Sequence, residues 1–219
     1  MKPTDAEREA FVREQTAPAP VPLVPEISIH TASAVTPLWF ATARWLDDHQ
    51  ADVPFWSVPW AGGQGLARYV LDHPECVQDA RVLDFGTGSG LVAIAAARAG
   101  AASVTAVDVD ALAGVAARVN AEANGAAIDV RIADLVGTSL AAFDVVLAGD
   151  IWYERAPSHR FARWLRRAVK KDGVRVLTAD PGRLHVPRRV RELARYEVPV
   201  PFELESVEKR ITRVLALDV

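Results

Sequence analysis

The sequence predicts an α/β fold: a doubly wound, Rossmann-like, seven-stranded sheet that is mostly parallel and ends in a C-terminal antiparallel hairpin. From residue 80 onward, short β-branched runs alternate with alanine-rich or amphipathic helical stretches. This alternation is typical of a parallel sheet covered by helices on both faces. The runs are mostly apolar throughout, as strands buried on both faces should be. Strands are predicted at 81–86, 103–109, 128–134, 143–150 and 175–180, with helices at 91–100, 111–125 and 159–173.

The two ends of the chain differ from this regular middle. Residues 1–16 look like a short polar helix, and four prolines between 18 and 25 predict an extended segment, because each proline fixes φ and lacks an N–H donor. A helix over 37–49 and an aromatic loop over 54–60 follow, and then a helix that ends near Pro74. The tail, residues 190–219, predicts one more helix and two strand-like runs. We therefore expect an N-terminal extension, residues 1–60, packed on a core domain, residues 61–219.

Composition and charge exclude several classes of protein. Cys76 is the one cysteine, so we expect no internal disulfide and no cysteine metal cluster. No apolar run is long enough to span a bilayer, and the start of the chain resembles no signal or transit peptide, so we expect a cytoplasmic protein without a membrane partner. The net charge is −3, yet residues 155–195 hold 13 Lys/Arg against three acids. That region is a solvated helix face or a docking surface for an acidic protein. The net charge and the lack of a recognition motif disfavour nucleic acid.

A glycine-rich turn, Gly86, Gly88 and Gly90, follows the first strand of the regular region. It is no P-loop, because Leu91 stands where that motif has lysine. It is also an imperfect dinucleotide fingerprint, whose third glycine would fall on residue 91. Asp84 would repel a phosphate but suits the ammonium group of a methionine moiety, and the glycines let a ligand approach the backbone.

Two further acids follow neighbouring strands. Asp108 lies about twenty residues after the turn, where an acid accepts hydrogen bonds from ribose hydroxyls in nucleotide-binding sheets. Asp134 follows the next strand and could accept from an adenine amino group. Together with Asp84 they predict S-adenosylmethionine as the cofactor. A turn needed only for packing and a dinucleotide site remain the alternatives.

The fourth strand of this region ends in Asp150-Ile151-Trp152-Tyr153, at the edge where such sheets bind ligands. The prolines typical of base-methylating enzymes are missing here, which argues against a nucleobase substrate. Our hypothesis is that Asp150 docks and orients an amine while Trp152 and Tyr153 form an apolar, partly cation–π wall. The alternative is that Asp150 caps the following helix.

These motifs resemble the seven-β-strand protein lysine methyltransferases. "LVPEISIH", "PFWSVPWAGGQGLARYVLDHP", "VLDFGTGSGLVAIAAARAGA", "VLAGDIWYE" and "DPGR" are similar, in this order, to the methyltransferases that modify lysines of the electron transfer flavoprotein β subunit, over roughly residues 20–185. The ribosomal protein L11 methyltransferases have a similar core. One departure from the pattern is Leu135, which stands where the family has a tryptophan.

The resemblance implies an S-adenosylmethionine-dependent protein lysine methyltransferase domain over residues 61–219, without a metal. It implies catalytic roles for Asp150 and Tyr153 and a Trp60 that covers the cofactor, with a core anchor as the other role for Trp60. Arg183 is expected to touch the protein substrate or to form a salt bridge. The implied substrate is the flavoprotein β subunit. Another protein, such as ribosomal protein L11, and a catalytically silent cofactor-binding module are the alternatives, and intact Asp150 and Tyr153 count against the last.

Overall fold

A computed structural model describes residues 3–32 and 54–218 of the chain. Its main sheet has seven strands, which confirms the predicted sheet: β3 (Arg81–Phe85), β4 (Ser103–Asp108), β5 (Asp129–Ile132), β6 (Val145–Gly149), β7 (Arg175–Asp180), β8 (Val190–Pro199) and β9 (Lys209–Leu217). Strands β3 to β7 are parallel, while β9 runs antiparallel to β7 and β8 antiparallel to β9. Across the sheet the strands lie in the order β5-β4-β3-β6-β7-β9-β8.

Helices flank the sheet, and three of them connect successive parallel strands. They are α1 (Asp5–Gln15), α2 (Ala61–Asp72), α3 (Leu91–Arg98), α4 (Ala111–Ala123), α5 (Arg155–Asp172) and the single turn α6 (Phe202–Glu205). Two 3-10 turns, Phe55–Ser57 and Pro74–Cys76, flank α2. The helix expected over 37–49 lies outside the described residues. Among the residues that the structure describes, no helix is both long and apolar enough to cross a membrane.

The N-terminal segment packs on the core through a helix and a hairpin. Thr4 and Glu7 form a reciprocal capping box at the start of α1. The proline-rich stretch is extended, as predicted, and forms an antiparallel pair of strands, β1 (Ala17–Val21) and β2 (Val24–Thr31). Strand β2 buries Ile27 and Ile29 completely. The domain boundary at residue 60 stays a prediction.

The sequence-based expectation for the start of the tail is wrong. Residues 190–199 form strand β8, not a helix, and pair with β9 from Val190↔Leu217 to Pro199↔Lys209. Glu192, Leu193 and Ala194 favour helices when considered locally, but helix propensity is a weak preference that tertiary pairing overrides. The register shifts between Glu192 and Ala194, so the alternation of side chains that marks a strand is also broken there.

Candidate active site

The glycine turn connects β3 to α3 at the carboxyl edge of the sheet. All three of its glycines have positive φ, at 69° for Gly86, 51° for Gly88 and 81° for Gly90. A Cβ on Gly90 would lie 3.1 Å from the backbone of Ala117 in α4, so this glycine also serves the packing of two helices. The turn leaves Gly86 exposed and brings backbone amides to the edge where ligands bind in such sheets.

Asp84 lies directly beneath this turn and is 2% exposed. Its Oδ2 accepts hydrogen bonds from the Thr87 hydroxyl at 2.6 Å and from the Ala93 amide at 3.0 Å. Burial raises the pKa of this carboxyl to about 7, against the lowering effect of these two donors. A carboxyl whose pKa is strongly raised by desolvation is typical of a functional site.

Asp108 lies at the end of β4, beside the turn. Its Oδ2 accepts from the Gly88 amide at 2.9 Å and its Oδ1 from the Asp110 amide at 3.1 Å. Asp134 is exposed in the loop after β5, accepts from the Val136 amide at 2.9 Å and lies 3.9 Å from Arg160. The structure therefore ties Asp108 to the turn itself, whereas the described contacts of Asp134 are with its own loop and α5.

Asp150 follows β6 and lies against the start of α2. Its Oδ2 accepts a hydrogen bond from the Gly63 amide at 2.6 Å. Its Oδ1 is buried and accepts no hydrogen bond from any described residue. The backbone of Asp150 has a φ of 55°, a left-handed conformation that aspartate tolerates better than most residues. Burial raises the pKa of the carboxyl to about 7, although the α2 amides and Arg183 act in the opposite direction.

Glycines make this position of Asp150 possible. A Cβ on Gly62 would lie 2.5 Å from the Ala179 carbonyl and 2.6 Å from Asp150 Oδ2. A Cβ on Gly149 would lie 3.0 Å from the backbone of Gly63. The first turn of α2 thus packs directly on the ends of β6 and β7. Its free amides face the carboxylate, as the positive end of a helix favours.

Asp150 does not cap α5, the helix that follows it, which was the alternative role considered from the sequence. Helix α5 begins at Arg155, its N-cap is Glu154, and no side chain caps it. Asp150 instead accepts from Gly63, the third residue of α2, 87 positions earlier in the chain.

An aromatic group lies on the solvent side of this site. The rings of Phe55 and Trp60 are 6.1 Å apart, and those of Phe55 and Tyr153 are 6.2 Å apart. Phe55 and Tyr153 are 49% and 55% exposed, so both side chains reach the solvent. Trp60 is the N-cap of α2 and its indole N–H donates to the Phe55 carbonyl at 2.8 Å.

Trp152 lies on the opposite side of the same loop. It is fully buried in the core between the sheet and α5, and its indole N–H donates to the Thr178 hydroxyl at 2.8 Å. That hydroxyl in turn donates to the Ala148 carbonyl at 2.5 Å. Trp152, which the sequence analysis expected in an apolar wall for the substrate, therefore anchors the loop from within instead, and the exposed rings here are those of Phe55 and Tyr153.

Arg183 completes the site from the loop after β7. Its guanidinium lies 3.8 Å from Asp150 Oδ1 and 3.5 Å from Glu205 Oε1. Its Cζ lies 5.9 Å from the centre of the Trp60 ring. The loop is held by Asp180, whose Oδ1 accepts from the amides of Gly182 and Arg183. Within the described ranges, no cluster of three acids, histidines or cysteines has a geometry that could hold a metal ion.

The structure thus forms two adjoining groups from the residues singled out in the sequence. Asp84, Asp108 and the turn glycines lie together, and Trp60, Asp150 and Arg183 lie together with Tyr153 near them. Sequence reasoning did not single out Phe55, Gly62, Gly63, Asp180 or Glu205 as site residues. The paired glycines in the first turn of α2 were a usable signal, because two glycines in a helical stretch indicate close backbone approach. Glu205 gave no signal, since its contact depends on how the tail folds back.

Comparisons with known proteins find similarity to methyltransferases. A family model described as "Ribosomal protein L11 methyltransferase (PrmA)" matches residues 69–178. The electron transfer flavoprotein beta subunit lysine methyltransferase of Xenopus laevis is 34% identical over 196 residues, 86% of this chain and 78% of that protein. The rat protein of the same description is 32% identical over 209 residues, 92% of this chain and 81% of its own length.

A solved structure supports the fold independently. A tRNA (uracil-54, C5)-methyltransferase of Pyrococcus abyssi, in complex with S-adenosyl-L-homocysteine, is similar over 71% of this chain and 38% of its own, with a TM-score of 0.52 and 20% identity. At that identity the likeness concerns the fold, which is a methyltransferase fold.

Proposed function

The chain belongs to the electron transfer flavoprotein β-subunit lysine methyltransferase family, and we propose that it transfers methyl groups from S-adenosylmethionine to lysine side chains of the flavoprotein β subunit. The observation that carries this proposal is the position of Asp150. A largely buried carboxylate is held at the start of α2, has one oxygen that accepts no hydrogen bond from a described residue, and is three residues away from the exposed Tyr153. A cationic side chain on a long apolar stem fits such a site.

The residues around the glycine turn fit S-adenosylmethionine. Asp84 would bind the ammonium group of its methionine part, and Asp108 its ribose hydroxyls. Gly86 and Gly88 leave the approach to the backbone open. Asp134 is proposed for the adenine amino group and Trp60 for covering the cofactor. Bound there, the cofactor supplies a methyl group already activated by its sulfonium, and no metal is needed.

The enzyme's remaining task is to present a neutral amine. A lysine with a pKa of about 10.4 is unprotonated in only about one molecule in a thousand at neutral pH. Desolvation lowers the pKa of a lysine, whereas a nearby carboxylate raises it. We therefore assign orientation to Asp150 and desolvation to Phe55 and Tyr153, which would enclose the lysine stem. The proton leaves through water, and Trp152 supports the loop from the core.

Ribosomal protein L11 is the second candidate substrate. The family model favours it, but that model covers only residues 69–178 and so leaves out the aromatic loop and the start of α2. Those elements lie within the longer match to the flavoprotein-modifying enzymes, and we rank the flavoprotein first for this reason.

The test is transfer of tritiated methyl from S-adenosylmethionine into purified electron transfer flavoprotein, with ribosomal protein L11 in a parallel reaction. Asp150→Asn keeps the size of the side chain and removes its charge. Loss of one hydrogen bond to a charged group costs about 1.5–3 kcal/mol. We therefore expect kcat/KM for the protein substrate to fall by roughly 10- to 100-fold.

Label on the β subunit, reduced in Asp150→Asn, would support the substrate and the role of Asp150 together. Label on L11 alone would favour the second candidate. Cofactor binding by calorimetry without transfer to any protein would indicate a silent binding module. Full activity and unchanged affinity in Asp150→Asn would remove Asp150 from the mechanism.

A further inference from the structure

Arg183 lies within a group of three acidic side chains behind the proposed lysine site. We call Asp150, Asp180 and Glu205 the carboxylate cluster. Each has one buried oxygen without a hydrogen-bond partner among the described residues: Oδ1 of Asp150, Oδ2 of Asp180 and Oε1 of Glu205. The guanidinium of Arg183 lies 3.8 Å from the first of these oxygens and 3.5 Å from the third.

Two members of the cluster have other sources of positive charge or hydrogen bonds. Glu205 pairs with Arg210 on β9 at 2.9 Å. Asp180 accepts two amide hydrogen bonds in its own turn, and the charges of Arg183 and of Arg213, which is also on β9, act on it. The amides of α2 and the charge of Arg183 favour the ionised form of Asp150, whereas the negative charge of Asp180 disfavours it. Among the described residues, Arg183 is thus the cation that offsets Asp150.

The guanidinium is close to Asp150 without being hydrogen-bonded to it. The 3.8 Å separation is beyond hydrogen-bond range, and the Trp60 ring lies 5.9 Å from the Cζ of Arg183. Asp150 borders the place proposed for the substrate lysine, and Trp60 lies 6.1 Å from the ring of Phe55, which would enclose the lysine stem. An amine held there therefore lies near both a carboxylate, which raises its pKa, and a guanidinium, which lowers it.

We propose that Arg183 is a positioning residue that offsets the charge of Asp150, so that the lysine amine docked there gives up its proton at a lower pH. This inference rests on the proposed function. In the step concerned, an N–H bond of the lysine ammonium breaks, its electron pair stays on nitrogen, and the proton passes to water. Asp150 then orients the amine without holding it in the protonated, unreactive form.

The experiment measures the single-turnover rate of methyl transfer against pH, with saturating flavoprotein and S-adenosylmethionine, because that rate reports groups in the complex. Arg183→Met removes the charge and keeps a long side chain; Arg183→Lys keeps the charge. We expect the acidic limb of Arg183→Met to move up by about one pH unit, a loss of about tenfold near neutrality that disappears at high pH. Arg183→Lys should keep the wild-type limb.

A second variant covers the case in which Arg183→Met does not fold. Glu205→Gln removes one carboxylate that Arg183 faces, so the guanidinium should lower the amine pKa further and move the limb to lower pH. An equal loss at every pH in Arg183→Met, or an unmoved limb in Glu205→Gln, would overturn the inference and leave Arg183 a role in building the loop. Failure of the proposed function would differ, because the wild-type protein itself would then transfer no methyl to lysine.

Discussion

The carboxylate of Asp150 accepts a hydrogen bond from the backbone amide of Gly63 at 2.6 Å, joining the end of β6 to the first turn of α2. The contact connects residues 87 positions apart and fixes a side chain whose own backbone is in a left-handed conformation. Backbone strain of this kind persists where the surrounding structure holds it, and it concentrates at functional sites. The position of the proposed lysine-orienting group is therefore set by α2 as much as by its own strand.

Gly62→Ala should displace this carboxylate, whereas Gly63→Ala should not. The new Cβ at residue 62 would lie 2.5 Å from the Ala179 carbonyl and 2.6 Å from Asp150 Oδ2. We expect a loss of about 1–3 kcal/mol in unfolding free energy, as for other overpacked sites, and at least a tenfold loss of methyl transfer. Urea denaturation and the transfer assay measure the two effects.

Gly63→Ala is the matched control, because its Cβ would lie 3.9 Å from Asp150 Oδ2, an ordinary contact distance. Alanine in a helix is favoured over glycine by up to about 1 kcal/mol, so the control should be as stable as the wild type or slightly more so. Equal damage from both substitutions would mean that the start of α2 is not positioned as described.

Asp84→Asn should make the protein's stability less dependent on pH. Burial raises the pKa of Asp84 in the folded protein to about 7, above its usual value of 3.8. A raised folded pKa means that the stability contribution is fully present below about pH 4 and is lost as pH rises through 7. Three pKa units correspond to at most about 4 kcal/mol at pH 8. Asparagine carries no charge at any pH, so the variant should gain stability over wild type from pH 5 to 8.

The measurement for Asp84→Asn is the difference in unfolding free energy between the two proteins in that pH range, which cancels the other titrating groups. A difference that does not change with pH would show that the pKa of Asp84 is the same in the folded and the unfolded protein, and so that burial does not raise it. Asp150, whose pKa burial also raises to about 7, should show the same direction of change in Asp150→Asn.

The sequence was sufficient for features that depend on local patterns. The strands from β3 to β7, the helices between them and the grouping of Asp84 with Asp108 follow from periodicity and from the rule that parallel strands end at one edge. The failures all involve distant contacts. Residues 190–199 have a helix-favouring composition, and only pairing with β9 makes them a strand.

The same reason explains what the sequence left open at the site. Asp150 and Tyr153 could be placed at the sheet edge from the pattern, but the partner of Asp150 is in α2, and the burial of Trp152 depends on Thr178. Successive side chains of an irregular loop do not alternate between two faces as they do in a strand. The sequence therefore could not predict whether Trp152 points into the core or toward the solvent. Glu205 reaches Arg183 only because the tail folds back across the sheet.

Trp152→Phe should lower the stability of the protein, whereas Tyr153→Ala should raise KM for the protein substrate. Trp152 is fully buried and donates to Thr178, so its replacement should lower the unfolding free energy by roughly 2 kcal/mol and leave KM for the protein substrate unchanged. Tyr153 is 55% exposed, so its removal should change stability by less than about 0.5 kcal/mol. A cation–π contact of about 1–2 kcal/mol would make its loss roughly a tenfold rise in KM. Thermal unfolding and steady-state kinetics measure the pair. An elevated KM with unchanged stability in Trp152→Phe would instead place Trp152 against the substrate.

Removing charge from α5 should weaken substrate docking and its dependence on salt. Arg163 and Arg167 are exposed on α5, which begins two residues after Tyr153, and neither forms an ion pair with another described residue. If this helix steers an acidic partner, the double substitution to glutamine should raise KM by roughly fivefold at low salt and flatten its increase with ionic strength.

Arg131→Gln with Lys209→Gln removes the same charge from β5 and β9 and should leave the salt dependence of KM unchanged. Parallel salt profiles for both double variants would mean that α5 is a solvated face and that net charge alone affects binding.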